Sequence, residues 1–415
     1  MTKTTIPFLN KDERVGAIWN IIGSTLYAFT SMLLGTLVIR ILGGDLGGIF
    51  FFAFSTIGQH LYVTSCFGMR PVQSTDHGGE FTFGDYRRIR FFTAGAALII
   101  GIIAAFIYSG FSYKAGVIIL VALYRVIDGF VDVYESEFQR QGRLDTTGKS
   151  LTFRTMVVFV TFLLVILITH NLIITCVAMV AALLVAFYIC CMRAVSELPK
   201  VKYEITEGST KKLFDQCIWL FLSLFLDFFL FAASKYAVDA QMSSSMSGYY
   251  STLFVPASVM NLLANFIIRP LLPGFSSSYA AGDKSKLRKM IYGSSAVILG
   301  ITFIAAVIAY FIGVPVLGFF AGPQAQSAME PYRMTLALIV IGGGLYAFMT
   351  PLYYVLVMAK QQKAIFRIYI AVTAVGFAIA VLFVKNWGLN GAAWSLIASM
   401  IVLESLFIFQ GRKII

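Results

Sequence analysis

Residues Leu172–Met192 read LIITCVAMVAALLVAFYICCM, twenty-one positions without a charge, a glycine or a proline. At about 1.5 Å of rise per residue, such a run crosses a hydrocarbon layer of about 30 Å. Five comparable apolar stretches precede it, near 15–41, 47–69, 91–109, 115–134 and 152–170. Six follow it, near 213–236, 248–269, 290–312, 332–356, 366–385 and 391–410. Composition agrees: 59% of the 415 residues are hydrophobic and only 13% are charged. That is half the charge of a soluble domain, which carries about 25%. A mean hydropathy of +0.83 leaves no room for a sizeable soluble domain. The predicted fold class is an all-α polytopic membrane protein with about twelve transmembrane helices.

Basic residues orient the spans. The net charge is +12, which in a soluble chain would suggest nucleic acid; here its placement decides. With alternate loops assigned to opposite sides, 26 of the 32 Lys and Arg residues fall on the side holding both termini. Five (Arg40, Lys114, Lys235, Arg333 and Lys385) fall on the other, and Arg125 lies within a span. The excess of Lys and Arg in cytoplasmic loops then places both termini in the cytoplasm of a cytoplasmic (inner or plasma) membrane. The N-terminal segment lacks a signal-peptide pattern, because the first apolar run is too long and ends without a cleavage site. Nucleic acid is not an expected partner.

The two halves resemble each other at an offset of about 200. Trp19 matches Trp219, Arg70-Pro71 matches Arg269-Pro270, and Gly84-Asp85-x-x-x-Ile89-Arg90 matches Gly282-Asp283-x-x-x-Leu287-Arg288. Three matches in order argue for duplication. Six spans per half keep both copies in one orientation, so the expected architecture is two six-helix bundles related by a pseudo-two-fold along the membrane normal. The domains read as 1–196, a cytoplasmic linker 197–211 and 212–415. Parallel repeats of this kind place a substrate path between bundles near the midplane.

Several chemistries are excluded. Gly142 to Gly148-Lys149-Ser150 imitates a phosphate-binding loop, but five residues separate its glycines and no strand precedes it. His60, His77 and His170 are scattered, and the five cysteines sit mostly in apolar runs as small hydrophobes. No nucleophile–base pair, metal site or cofactor site stands out, so no enzyme is expected.

Ionisable groups inside spans carry the information, since a mid-membrane charge is expensive unless it faces protein or water. At about 100° per residue, Arg125, Asp128, Asp132, Glu135 and Gln139 share an arc of about 80° on the fourth span. The opposite face is apolar. Two readings follow: an internal Arg125–Asp128 pair that neutralises itself, or a carboxylate relay in which Asp128 or Asp132 binds a coupling cation with Arg125 tuning its proton affinity. Asp227 on span seven is a second coupling candidate. Asn261 and Asn265, one turn apart on span eight, are candidate polar groups of the cavity, or ordinary helix–helix hydrogen bonders. Arg40 and Lys235 occupy equivalent outer ends of spans one and seven, and Arg70 and Arg269 equivalent inner ends of spans two and eight. Guanidinium and ammonium groups suit phosphate, so these four pairwise-related cations, with Arg125 between, are a candidate path for an anionic cargo. Topology anchoring is the alternative for Arg70 and Arg269.

With these features together, the chain resembles the polysaccharide flippases of the superfamily that also contains multidrug and toxin exporters. The resemblance spans nearly the whole length. It rests on Gly248-Tyr-Tyr-Ser-Thr-Leu-Phe-Val-Pro256 running to Asn265, on Arg269-Pro270-x-x-Pro273, on Ala280-Ala-Gly-Asp283 with its basic tail, and on Trp387-Gly-Leu-Asn-Gly391-Ala-Ala-Trp394. It implies translocation of an undecaprenyl-diphosphate-linked oligosaccharide from the inner to the outer leaflet. It also implies a proton or sodium gradient as driving force, with membrane lipids and polysaccharide polymerase or assembly proteins as neighbours. The runner-up is a cation-coupled multidrug antiporter of the same superfamily, which would want an acidic or aromatic cavity; Arg40, Arg125 and Lys235 weigh against it. A membrane-embedded polymerase or glycosyltransferase would need a larger loop than the sequence offers.

Overall fold

The computed structural model describes residues 11–76, 79–196, 198, 201–268 and 271–412, and every regular element among them is helical. Twelve passes are resolved. The first six are α1 (Lys11–Leu42), α2 (Gly44–Thr75), α3 (Phe83–Ser109), α4 (Tyr113–Arg140), α5 (Leu144–Thr169) and α6 (Leu172–Ser196). Next come α7 (Ser209–Gln241), α8 (Ser244–Leu253 continued by Val255–Ile268), α9 (Lys284–Ala321) and α10 (Pro323–Met358). A continuous helical run, Gln362–Gly411, supplies the last two, α11 over 362–387 and α12 over 389–411, because Gly388 breaks it with φ 55° and ψ −135°. Side chains other than glycine avoid that conformation, so glycine sets the corner.

Nine of the described helical runs are long and apolar enough to cross a membrane. Their outward faces suit lipid: Ile107 and Ile168 are each 77% exposed and Phe303 72%. Helix α4 is absent from the nine, being as long as its neighbours but carrying the charged stripe anticipated above.

The chain packs as two units, Met1–Leu34 with Ala53–Phe221 and Gly35–Phe52 with Leu222–Ile415. The last part of α1 and the first part of α2 thus group with the C-terminal helices, and the first part of α7 with the N-terminal ones, so the packing units cut across the sequence halves. The reason is local. Within the second unit, Gly44 and Gly48 lie directly against Ser244 and Gly248 of α8, and a Cβ built on Gly48 would fall on the Ser244 carbonyl oxygen. A Cβ on Gly248 would stand 2.8 Å from Gly48 Cα. Small residues let the backbones touch. The pairs are again separated by 200 positions, and Ser245 donates a hydrogen bond to Asp45 across the same crossing. The rest of this unit's core includes Leu230, Tyr250, Phe254, Leu336, Tyr369 and Phe407.

Two local departures from regular helix prepare the first unit's interior. The Ala53–Ile57 turn of α2 is π-helical, which frees backbone carbonyls from the usual ladder. Further on, Phe67 and Gly68 both take positive φ (50° and 64°) and restart the helix at Met69. Phe67 tolerates this because its ring stacks on Phe221 and Phe214 at 4.7 and 5.1 Å. The restart carries Arg70 toward α4.

Candidate functional site

The charged stripe of α4 faces the interior of the first unit. Asp128, Asp132, Glu135 and Arg125 are each no more than 3% exposed. Each carboxylate is held by more than one donor. Asp128 accepts from the Tyr27 hydroxyl of α1 at 2.6 Å and from Arg154 of α5, and its Oδ2 lies 3.8 Å from Arg125. Asp132 accepts from Arg70 of α2 at 2.5 Å and from Arg90 of α3 at 3.1 Å. Glu135 accepts from Arg154 at 3.1 Å and from Ser150 at 3.4 Å. Two residues further, Glu137 accepts from Arg140, Gln141 and Gln73 at 2.9, 2.9 and 3.2 Å.

Arg125 shows how the backbone was shaped for this cluster. Its guanidinium donates to the Phe54 carbonyl at 3.2 and 3.4 Å, the oxygen that the π-helical turn releases. It also lies over the Phe54 ring at 3.8 Å and donates to the Tyr27 hydroxyl at 3.0 Å. Arg125, Tyr27, Asp128, Arg154 and Glu135 therefore form one connected chain of charge-assisted hydrogen bonds. Counting Arg70 and Arg90, four guanidiniums face three carboxylates. Paired in this way the charges are tolerable; any one alone at this depth would not be.

Arg90 and Arg154 are partners that sequence reasoning missed. Both counted as loop charges in the orientation tally, yet Arg90 is fully buried and Arg154 is 4% exposed. A signal existed for Arg90. Thr82 and Asp85 form a capping box that starts α3 at Phe83, which sets Arg90 two turns inside the helix. Its counterpart in the repeat, Arg288, lines an open cavity of about 500 Å³ in the second unit together with Glu404 and Arg412. The two copies have diverged at this position.

The remaining sequence candidates are dispersed. Arg40 belongs to the second unit and donates to the Phe319 carbonyl at 2.5 Å, close to the end of the Val314–Ala321 segment of α9. Lys235, in the same unit, is buried with its ammonium 4.4 Å from the centre of the Phe254 ring. Arg70 is half-buried, with a side chain 37% exposed. Arg269 lies outside the described residues, as does the side chain of Asn265; Asn261 is partly buried on α8. Asp227, on α7, accepts from the Tyr346 hydroxyl of α10 at 2.5 Å, and its second oxygen has no hydrogen-bond partner among the described residues. No ion pair engages Asp227 among the described residues, in contrast with the acids of α4. The structure thus brings Arg70, Arg125, Asp128 and Asp132 into one site and leaves Arg40, Lys235 and Asp227 elsewhere, in the second unit.

Residues 89–330, more than half of the chain, match a family described as polysaccharide biosynthesis protein. The chain belongs to the polysaccharide biosynthesis protein family. The matched segment runs from the second residue-turns of α3 into α10 and includes the whole of α4. No curated protein sequence matches at a significant level. Among solved structures, the fold is similar to an inward-facing multidrug resistance MATE family transporter of the MOP superfamily. That likeness has 14% identity, covers 97% of this chain and 98% of the other, and has a TM-score of 0.69. It is equally similar to the lipid II flippase MurJ in an inward closed conformation, with 11% identity, 95% and 87% coverage and a TM-score of 0.70. A MOP superfamily transporter from Pyrococcus furiosus follows at 13% identity, 97% and 98% coverage and a TM-score of 0.58. At these identities the likeness is one of fold. This member of the polysaccharide biosynthesis family is a multi-pass helical membrane protein with the architecture of known membrane transporters.

Proposed function

We propose that this protein flips an undecaprenyl-diphosphate-linked oligosaccharide from the inner to the outer leaflet by ion-coupled alternating access, without catalysing a reaction. Family membership carries this reading: a polysaccharide biosynthesis protein whose fold is shared with a lipid II flippase. The charge balance supports it. A lipid diphosphate carries about two negative charges, and taking them out of water is costly without compensating cations. The α4 network offers four guanidiniums against three carboxylates, and Arg70 is its most exposed member. Arg70 is therefore assigned the first contact with the diphosphate, with Arg125 deeper in the same network. Arg40, Lys235 and Arg269 remain candidates for the rest of the path, and Asn261 and Asn265 for its polar lining. The Lys and Arg distribution orients both termini to the cytoplasm.

For the coupling cation, proton or sodium, Asp227 is favoured over Asp128 and Asp132. Both α4 acids already have guanidinium partners, whereas among the described residues Asp227 has only the Tyr346 hydroxyl and an unpartnered oxygen. The second reading, a cation-coupled multidrug antiporter, is favoured by the likeness to the MATE structures; a net positive interior network argues against cationic cargo. Cells lacking the protein should accumulate lipid-linked repeat units on the cytoplasmic side, and the wild-type chain should restore their export. Normal surface repeat units in such cells, with no redundant transporter, would end the flippase reading.

A further inference from the structure

A second cavity in the first unit, of about 410 Å³, lies beside the N-terminal end of α3. Arg87, Arg88, Phe91 and Phe92 of α3 form one wall, and Tyr203 and Ile205 of the segment before α7 form another; no acidic residue lines it among the described residues. The second wall is firmly held. Gly84 N–H donates to the Lys202 carbonyl at 3.0 Å and Thr82 Oγ1 to the Glu204 carbonyl at 2.5 Å. Asp85 accepts from Thr206 N–H at 2.9 Å and from Ser209 Oγ at 2.5 Å. Tyr203 packs edge-on against Phe83 at 5.4 Å, and the Arg87 guanidinium lies over the Tyr203 ring at 5.1 Å.

The placement of this cavity along α3 is informative. From Phe91 through Ile99, Ile103 and Ile107 the helix presents a continuous exposed apolar stripe. Phe91 to Ile107 spans about 24 Å, most of a hydrocarbon core of about 30 Å. Arg88, one turn before Phe91, then stands at the depth of lipid headgroups. A basic pocket opening onto an apolar stripe has the shape and polarity of an anionic amphiphile: phosphate at Arg87 and Arg88, which guanidinium groups bind well, and a hydrocarbon chain beyond.

We propose that this cavity binds an anionic glycerophospholipid of the leaflet it faces, with its phosphate on Arg87 and Arg88 and an acyl chain against Phe91, Phe92 and Ile205. Because two of the wall residues, Tyr203 and Ile205, belong to the segment 201–209, the bound lipid clamps that segment onto α3. The proposal depends on membrane immersion alone and stands whether or not the protein flips an oligosaccharide lipid.

Native mass spectrometry of the detergent-solubilised full chain, titrated with phosphatidylglycerol, phosphatidylcholine or undecaprenyl phosphate, tests it. A basic residue near an anionic lipid surface is worth about a factor of five in affinity, so two give about 25-fold. The wild type should prefer phosphatidylglycerol over phosphatidylcholine by about that factor. Arg87→Gln/Arg88→Gln should abolish the preference, and Lys284→Gln/Lys286→Gln, an exposed basic pair at the start of α9, should leave it intact. Tyr203→Ala keeps both guanidiniums but removes a wall, and should weaken phosphatidylglycerol binding several-fold; it decides the matter if the double arginine variant does not purify folded. The proposal is overturned by a preference that survives both the arginine and the Tyr203 variants. Equal loss in the Arg and Lys pairs overturns it too, since that would mark a general charge effect. So does a loss confined to undecaprenyl phosphate, which would assign the cavity to the cargo lipid.

Discussion

Replacing Arg154 by glutamine removes a side chain that binds both Asp128 and Glu135. The two acids are left in different positions. Among the described residues, Asp128 keeps the Tyr27 hydroxyl at 2.6 Å and Arg125 at 3.8 Å, whereas the Glu135 carboxylate keeps only Ser150 at 3.4 Å. Breaking a buried ion pair by removing one partner costs about 3–5 kcal/mol, mostly the penalty of the charge left behind. That charge is chiefly Glu135. For a folding unit of roughly 200 residues, at about 2–4 °C per kcal/mol, the single variant should lose on the order of 10 °C in apparent Tm. Neutralising the stranded acid should undo most of this, so Arg154→Gln/Glu135→Gln should melt within about 3 °C of wild type. The assay is a thermal melt of the purified chain in one fixed detergent and lipid mixture, run as a double-mutant cycle with Glu135→Gln alone. A double variant no more stable than Arg154→Gln would refute the reasoning, because the loss would then come from packing and not from an uncompensated charge.

Other outcomes follow from the same structure. Asp227→Asn should leave the chain folded but make transport insensitive to an imposed ion gradient in vesicles; transport that still follows the gradient would return the coupling role to Asp128 or Asp132. Gly48→Val should sharply lower the yield of folded protein, because its side chain has no space beside Ser244, while Gly95→Ala, where a Cβ meets nothing within 4 Å, should be neutral by size-exclusion profile and melt. Gly388→Ala should cost about 1–3 kcal/mol, read as a lower Tm, since its φ of 55° and ψ of −135° suit glycine alone.

The membrane fold was legible because apolar runs of hydrocarbon length leave few alternatives, and the 3.6-residue period already gathered Asp128, Asp132 and Glu135 on one face of α4. What the period could not supply was the identity of the partners. Arg90 and Arg154 sit at the starts of the apolar runs 91–109 and 152–170, where a basic residue that anchors topology and one that turns inward look alike in sequence. Apolar runs mark only the lipid-facing middle of a helix: α5 begins at Leu144, eight residues before the apolar stretch, which is what carries Arg154 into the interior. Tyr27 carries no charge and gave no signal at all. The grouping of Gly35–Phe52 with the second unit arises from backbone contact at Gly44 and Gly48, and a glycine in an apolar run does not announce a neighbour 200 residues away. For coupling, the sequence left Asp128, Asp132 and Asp227 open; their surroundings differ in that the two α4 acids have guanidinium partners.

The most direct measurement is a reconstituted flipping assay. Purified protein in vesicles containing an undecaprenyl-diphosphate-linked oligosaccharide, under an imposed proton or sodium gradient, should move the saccharide to the opposite leaflet, where an impermeant glycan-modifying enzyme reads it. Arg70→Gln should slow that movement by tenfold or more. No movement of the saccharide lipid by folded protein under either gradient, with lipophilic cations carried instead, would contradict the assignment and leave a multidrug antiporter in its place.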